Sequence, residues 1–319
     1  VYITGYFQDT ADFDPGPGSF NLTNSPGGFY SAFVSKLNSS GDLVWAKQFD
    51  GPGLVASSSI SVNASGDVFT SGGFLGGTVD FDPGANVENL TPLDSDVFVS
   101  KLDTNGNFAW VKQLRGNAQG RALTLDSSGN VYIGGNFNGT LDIDPGAGVT
   151  TLTSTVSTNS IYVLKLDANG ALEWGKSITP TLQATVNSIS VEGSGDVYAT
   201  GFFGGTGDFD PGPGSFNLTS FGNLDAFVSK FNSSSGDFVW AQQLGGSGQD
   251  IGFGLTVDGS GNVYSTGSFQ GTADFDPSGS TFNLATSGQS SFVSKLDSGG
   301  VFVWAKKLAT DSAIGRSVA

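Results

Sequence analysis

Acidic chemistry in this sequence concentrates in a seven-residue phrase that comes round five times. It reads Thr10-Ala11-Asp12-Phe13-Asp14-Pro15-Gly16, Thr78-Val79-Asp80-Phe81-Asp82-Pro83-Gly84, Thr140-Leu141-Asp142-Ile143-Asp144-Pro145-Gly146, Thr206-Gly207-Asp208-Phe209-Asp210-Pro211-Gly212 and Thr272-Ala273-Asp274-Phe275-Asp276-Pro277-Ser278. If the phrase begins as an extended segment, its two carboxylates lie on one side about 7 Å apart and the residue between them faces the sheet. With the carbonyls of a Pro-Gly turn, they supply part of the six to eight oxygens that calcium takes at ~2.3–2.6 Å. Asp12, Asp14, Asp80, Asp82, Asp142, Asp144, Asp208, Asp210, Asp274 and Asp276 are therefore candidate calcium ligands. The same residues also suit a metal-free turn, in which Asp accepts backbone hydrogen bonds and Phe13 and Phe20 pin a small hairpin of Asp12–Asp14 against Phe20–Thr23. Both readings stand on the sequence.

Other side chains narrow the chemistry further. The chain has no Cys and no His, which removes disulfides, thiolate sites, the usual Ser or Cys triads and the commonest transition-metal ligand. A carboxylate pair can hydrolyse a glycoside, but that needs two differently tuned acids in one asymmetric site. Here the acids recur alike in five copies, so a non-enzymatic protein is expected, with a glycosidase only a third reading.

The elements that carry the phrase repeat with it. Trp45, Trp110, Trp174, Trp240 and Trp304 are all the tryptophans, and they are 65, 64, 66 and 64 residues apart. In the second copy, Ser59–Asn63, a turn at Ala64-Ser65-Gly66-Asp67 and Val68–Phe74 read as strand, turn, strand. The insert follows, then Val97–Leu102, a turn at Asp103–Gly106 and Phe108–Leu114. Each unit thus gives four strands, a to d, with the insert between b and c. Without its insert, a unit is about 43 residues, the size of a four-stranded propeller blade. No stretch shows helical periodicity, and the expected fold is an all-β, five-bladed β-propeller over residues 1–319. The ends, Val1–Gly5 as strand b and 312–319 as strand a, are expected to complete the first blade together. A mid-unit start fits an excerpt of a longer protein equally well.

Alternation places the a–b and c–d turns at one end of each sheet and the inserts and d–a loops at the other, which is the functional candidate. The tryptophans are read as strand-d packing residues, with sugar stacking as the lesser reading. Lys36, Lys101, Lys165, Lys230 and Lys295 recur in strand c and are read as partners of Asp or of carbonyls. Seven Asn-x-Ser/Thr sequences, beginning at Asn21, Asn38, Asn63, Asn89, Asn138, Asn217 and Asn232, leave glycosylation open.

Composition bounds the partners. Net charge is -16, and only 3 of the 29 acids are Glu, at 88, 173 and 192. That argues against nucleic acid, and no run of about 18 apolar residues is present to span a membrane. With 26 Phe, the core should be rich in phenylalanine.

Val131-Tyr132-Ile133-Gly134-Gly135, Asp-x-Asp-Pro-Gly, Phe-Val-Ser-Lys-Leu-Asp and Val-Trp-Ala-Lys-Gln-Leu together resemble the bacterial β-propeller repeat family labelled SBBP. The likeness is to the variety found in tandem in large secreted or cell-surface proteins, some exported by the type IX route. The third copy departs most, with Ile143 for Phe and Ile161-Tyr162-Val163-Leu164-Lys165 in strand c. The resemblance covers the whole chain and implies an extracellular or cell-surface propeller. The expectation is a scaffold, adhesion or protein-interaction module, calcium-stabilised at its inserts and binding surface proteins or itself. A multivalent lectin-like propeller that binds glycans is the alternative.

Overall fold

The computed structural model describes residues 1–192, 195–308 and 312–319. Its described residues form antiparallel β-sheets without a helix, and none is a helix long and apolar enough to cross a membrane. Two compact units result. The first holds Val1–Val131, Thr140–Thr151 and Leu166–Leu172; the second holds Tyr132–Gly139, Leu152–Lys165 and Glu173–Ala319.

In the first unit, the second copy shows the expected meander, with strands Leu54–Val62, Val68–Leu75, Asp96–Leu102 and Phe108–Leu114 hydrogen-bonded in that order. The middle strands are buried on both faces and the fourth alternates less strictly, which explains why b and c read as continuous apolar and small residues. Strand a carries a bulge between Ser57 and Ser59. Gly72 opposite it is required, because a Cβ there would strike the Ala56 carbonyl. The same bulge recurs at Val186/Ser188 and Gly252/Gly254.

The first copy is a three-stranded sheet of Tyr2–Phe7, Ser31–Leu37 and Leu43–Phe49. In the second unit, Ala184–Val191, Val197–Phe203, Asp225–Phe231 and Phe238–Gly246 form the fourth copy, and Ile251–Val257, Val263–Asp274, Asn283–Leu296 and Phe302–Lys307 form the fifth. The strand expected over 312–319 does not form. Among the described residues its backbone bonds include Gly315 N–H to Gly267 O at 3.2 Å and Ala313 N–H to Gln289 O at 3.3 Å, while Arg316 stacks on Phe253 at 4.8 Å.

Successive copies are locked through side chains. Ser59 Oγ accepts from Leu123 N–H at 3.0 Å in the first unit, and Ser188 Oγ accepts from Leu255 N–H at 3.2 Å in the second. The tryptophans do the same from strand d: Trp45, Trp174 and Trp240 donate to the carbonyls of Thr104, Ser233 and Ser298 in the c–d turn of the following copy. Each copy's Tyr or Phe in strand b meets its own Trp, with ring centroids 5.9–6.3 Å apart. The packing reading of these tryptophans therefore holds.

Candidate interaction surface of repeated hairpins

All five inserts fold as the small hairpin, with Thr10–Asp12 pairing Asn21–Thr23 and Thr206–Asp208 pairing Asn217–Thr219. The strand ends at the first Asp, so the phrase turns instead of running extended through both carboxylates. Asp12 Oδ1 accepts from Asp14 N–H at 3.0 Å and from Phe20 N–H at 2.8 Å, while Asp14 Oδ1 accepts from Gly16 N–H at 2.8 Å. Asp80, Asp142, Asp208 and Asp274 repeat the first pair of bonds; Asp82, Asp144, Asp210 and Asp276 repeat the second. The N–H groups of Phe20 and then Asp14 hold the Asp12 carboxyl below its usual value, because they stabilise the charged form.

The central residue is the anchor. Phe81 is fully buried against Phe49, Phe74 and Phe98, and Phe209 and Phe275 pack on the strand-b and strand-c phenylalanines of their own copies. Ile143 is buried at the same place. Phe20, by contrast, is 41% exposed; its counterparts Phe216 and Phe282 lie on Phe238 and Phe302 at the start of strand d.

Each later hairpin is also stitched to the copy before it. Asp50 and Asp80 exchange backbone bonds at 3.0 and 3.3 Å, Arg115 and Asp142 do so at 2.8 and 3.0 Å, and Gly245 pairs with Asp274. Asp80, Asp142 and Asp274 thus serve twice, their backbone joining copies and their side chain closing the turn, while the fourth hairpin is joined through Thr181 N–H to Thr206 O at 2.8 Å.

As a calcium site the inserts offer two carboxylates each, and no group of three or more His, Cys, Asp or Glu gathers as a metal cluster among the described residues. In every pair both Oδ1 atoms already receive N–H donors, and a cation would have only the remaining carboxylate edges and carbonyls.

Two hollows beside hairpins lie in the second unit. One of about 300 Å³ runs between Phe221, Gln242 and Gln243 of the fourth copy and Asp274, Asp276 and Thr281 of the fifth hairpin. Another, about 340 Å³, is lined by Asn138, Thr158, Gln183 and Leu224. Phe29, Leu93 and Phe221, on the return path of three inserts, are 65%, 78% and 70% exposed, and Val87 and Val149 at hairpin tips are 64% and 75% exposed.

The strand-c lysines are structural partners, as read from the sequence. Lys36 donates to Thr104 O, and Lys101, Lys165 and Lys230 pair with Asp67, Glu173 and Asp196. All but Lys101, which covers Phe69, lie over a Tyr ring.

A second set of acids is not marked by the repeated phrase. Asp96, Asp225 and Asp250 are fully buried at this same end of the sheets, and Asp50 takes the hydroxyls of Ser25 and Ser31 there. For Asp96 and Asp225 the signal is a Ser-or-Asp alternation where strand c begins, hidden by the louder Asp-x-Asp-Pro phrase; Asp50 and Asp250 lie outside that position.

Residues 239–271 match the family of the β-propeller repeat, SBBP. The chain is similar to an uncharacterized WD repeat-containing protein of Acanthamoeba polyphaga mimivirus, 22% identical over 194 residues, which are 54% of this chain. It spans only 14% of that relative's length. It also aligns with a protein of unknown function from Bacteroides caccae, covering 95% of this chain and 93% of that one, at 9% identity and a TM-score of 0.35, too low to bear on the fold.

Proposed function

From the premise that the chain carries the SBBP β-propeller repeat, we propose that it is a non-enzymatic protein-interaction propeller of five blades, working outside the cell as a scaffold or adhesion module. The observation that carries this is the array of hairpins. Five latched hairpins present acid and exposed aliphatic or aromatic residues on rigid supports, a mix of apolar anchors and polar surround that suits a protein partner. The test is a benzophenone amino acid placed at Phe221 or Leu93, with Val44 on the outer strand as control, in cells that produce the protein. Cross-links to one protein, or to a second copy, from the hairpin positions alone support the reading; equal labelling from Val44 overturns it.

Calcium belongs to this reading at the carboxylate edges that the hairpin bonds leave over. Equilibrium dialysis that finds about five calcium ions per chain, lost in D80N/D82N in proportion, supports it; no uptake removes calcium and leaves the hairpins self-latched. A glycan partner is favoured by one feature, the hollow that combines exposed Phe221 with Gln242, Asp274 and Asp276, an aromatic face beside amide and carboxylate. Binding on a glycan array that F221S abolishes would move the function from scaffold to lectin.

A further inference from the structure

The five copies are not equivalent at the hairpin end of their sheets. The residue that opens strand c, or in the fifth copy its equivalent within Asn283–Leu296, is Ser31, Asp96, Ser160, Asp225 and Ser290 in turn. One step into the next copy, the residue whose N–H bonds the carbonyl just before strand c is Val55, Ala118, Ala184 and Asp250. Only between the fourth and fifth copies, among these junctions, do both positions carry acid.

Asp96 shows how a single acid is satisfied there. Its Oδ2 accepts from Leu93 N–H and the Gln113 amide, and its Oδ1 accepts from Gly116 N–H at 3.0 Å. Asp225 repeats the first half, its Oδ2 taking Phe221 N–H at 3.0 Å and the Gln243 amide at 2.5 Å. The second half is lost. Gly246, the counterpart of Gly116, instead gives its N–H to Asp250 Oδ2 at 2.7 Å, while Asp250 Oδ1 takes Gln270 N–H at 3.1 Å. Asp225 Oδ1 is left fully buried with no hydrogen-bond partner. Both carboxyl groups crowd Gly245 and so lie close to one another: a Cβ there would lie 2.6 to 2.9 Å from Asp225 Cγ, Asp225 Oδ2 and Asp250 Oδ2.

No cation among the described residues faces the pair. Strands Val197–Phe203 and Ile251–Val257 carry no charge, and Asp274, opposite Gly245, spends its Oδ1 on Asp276 and Phe282 N–H groups. Asp225 is the charge that acts on Asp250. Two buried acids without a base repel and are poorly solvated, and the arrangement lacks one hydrogen. We propose that Asp225 and Asp250 share a single proton, whose O–H fills the missing bond and makes this junction a pH-sensitive latch on loop Gly245–Asp250. Through Gln243, which lines the hollow beside Phe221, the latch also reaches the hairpin surface, whatever partner that surface takes.

Burial raises both carboxyls, Asp250 to about 7. Because the folded value lies above the unfolded one, the folded chain binds more protons between about pH 4 and pH 7, and stability falls as pH rises through that window. The proton belongs to the pair as a unit. The experiment is thermal unfolding in EDTA from about pH 5 to pH 8.5 for the wild type, D250N and D225N. The expected result is a wild-type Tm that declines with pH, a flatter profile in D250N, and a D250N Tm above the wild type at the alkaline end. Parallel profiles overturn the proposal, and so does calcium restoring the alkaline Tm of the wild type but not of D250N, since a cation would then be the occupant. Carbon-13 NMR of aspartate carboxyls in the wild type serves if either variant fails to fold: two resonances that titrate together well above the ordinary range support the shared proton, and their absence sinks it.

Discussion

At the scale of the residue, most of the acid in this chain closes turns. In the tight turns the first residue takes two N–H groups on one oxygen and the fifth residue completes a side-chain bond, and the amide and the acid trade places freely. Asn38 pairs with Asp42 and Asn63 with Asp67, whereas Asp103, Asp126 and Asp258 lead and Asn107, Asn130 and Asn262 follow. One side chain must give N–H and the other accept, and order is immaterial. D258N should therefore lower Tm by replacing the charged acceptor with a weaker amide oxygen, and D258N/N262D, which restores one carboxylate to the pair, should recover most of it; a double variant no better than the single would refute the reciprocity. The Asn262 amide, with backbone N–H groups, holds the Asp258 carboxyl down to about 2. Its folded value is below the unfolded one, so its contribution is complete above about pH 4 and fades as pH falls toward 2. In the hairpins, Asp80→Ala orphans two N–H groups and should cost about 1–2 kcal/mol, read from chemical denaturation. EDTA should shift stability less than Asp80→Ala does, because those bonds are made without metal. These turn acids are legible because Asp and Gly spacing states a local geometry. Asp225 and Asp250 are not, because only the pairing of strands from neighbouring copies brings the two side chains together.

At the scale of the element, the packing of copy on copy rests on a tryptophan laid over the next copy's turn. Gly236 has φ of 68°, and a Cβ there would lie 2.6 Å from the Trp174 ring; Gly106 and Gly300 stand likewise to Trp45 and Trp240. The glycine is needed for the left-handed turn and again for the close approach. Gly236→Ala should cost about 1–3 kcal/mol and shift Trp emission toward that of a wetter indole, whereas Gly41→Ala, left-handed but open, should leave emission unchanged. Equal spectral effects of the two would detach the tryptophans from the turns. The five-fold marker and the strands of the later copies stand plainly in the sequence. The bulge in strand a does not, since its only trace is a glycine in strand b that reads as an ordinary weak strand residue. Nor does the sequence reveal that 312–319 stays out of the sheets, because Ser-Val-Ala alternates as well as any true strand.

At the scale of the whole molecule, 13 basic residues face 29 acids, and at least three of the bases are spent on internal ion pairs with Asp67, Glu173 and Asp196. What remains is a net acidic surface, with the acid gathered where turns and hairpins end. Such a charge opposes the compact state by self-repulsion, while the apolar core built on the hairpin phenylalanines is indifferent to salt at moderate concentration. Ions screen exposed charges beyond about 10 Å at 0.1 M. The melting temperature should therefore rise between about 0.02 M and about 0.3 M sodium chloride. The turn bonds oppose this trend only locally, since each is short and charge-assisted. A Tm that fell with added salt would mean that carboxylate hydrogen bonds outweigh the repulsion. A rise with calcium beyond that with sodium at equal ionic strength would point to specific uptake at the ten hairpin aspartates. The same field bears on the proposed partner. A surface this acidic associates fastest with a basic one, so cross-linking from Leu93 or Phe221 should weaken at high salt if the partner is a basic protein, and hold steady if the exposed apolar residues carry the contact alone.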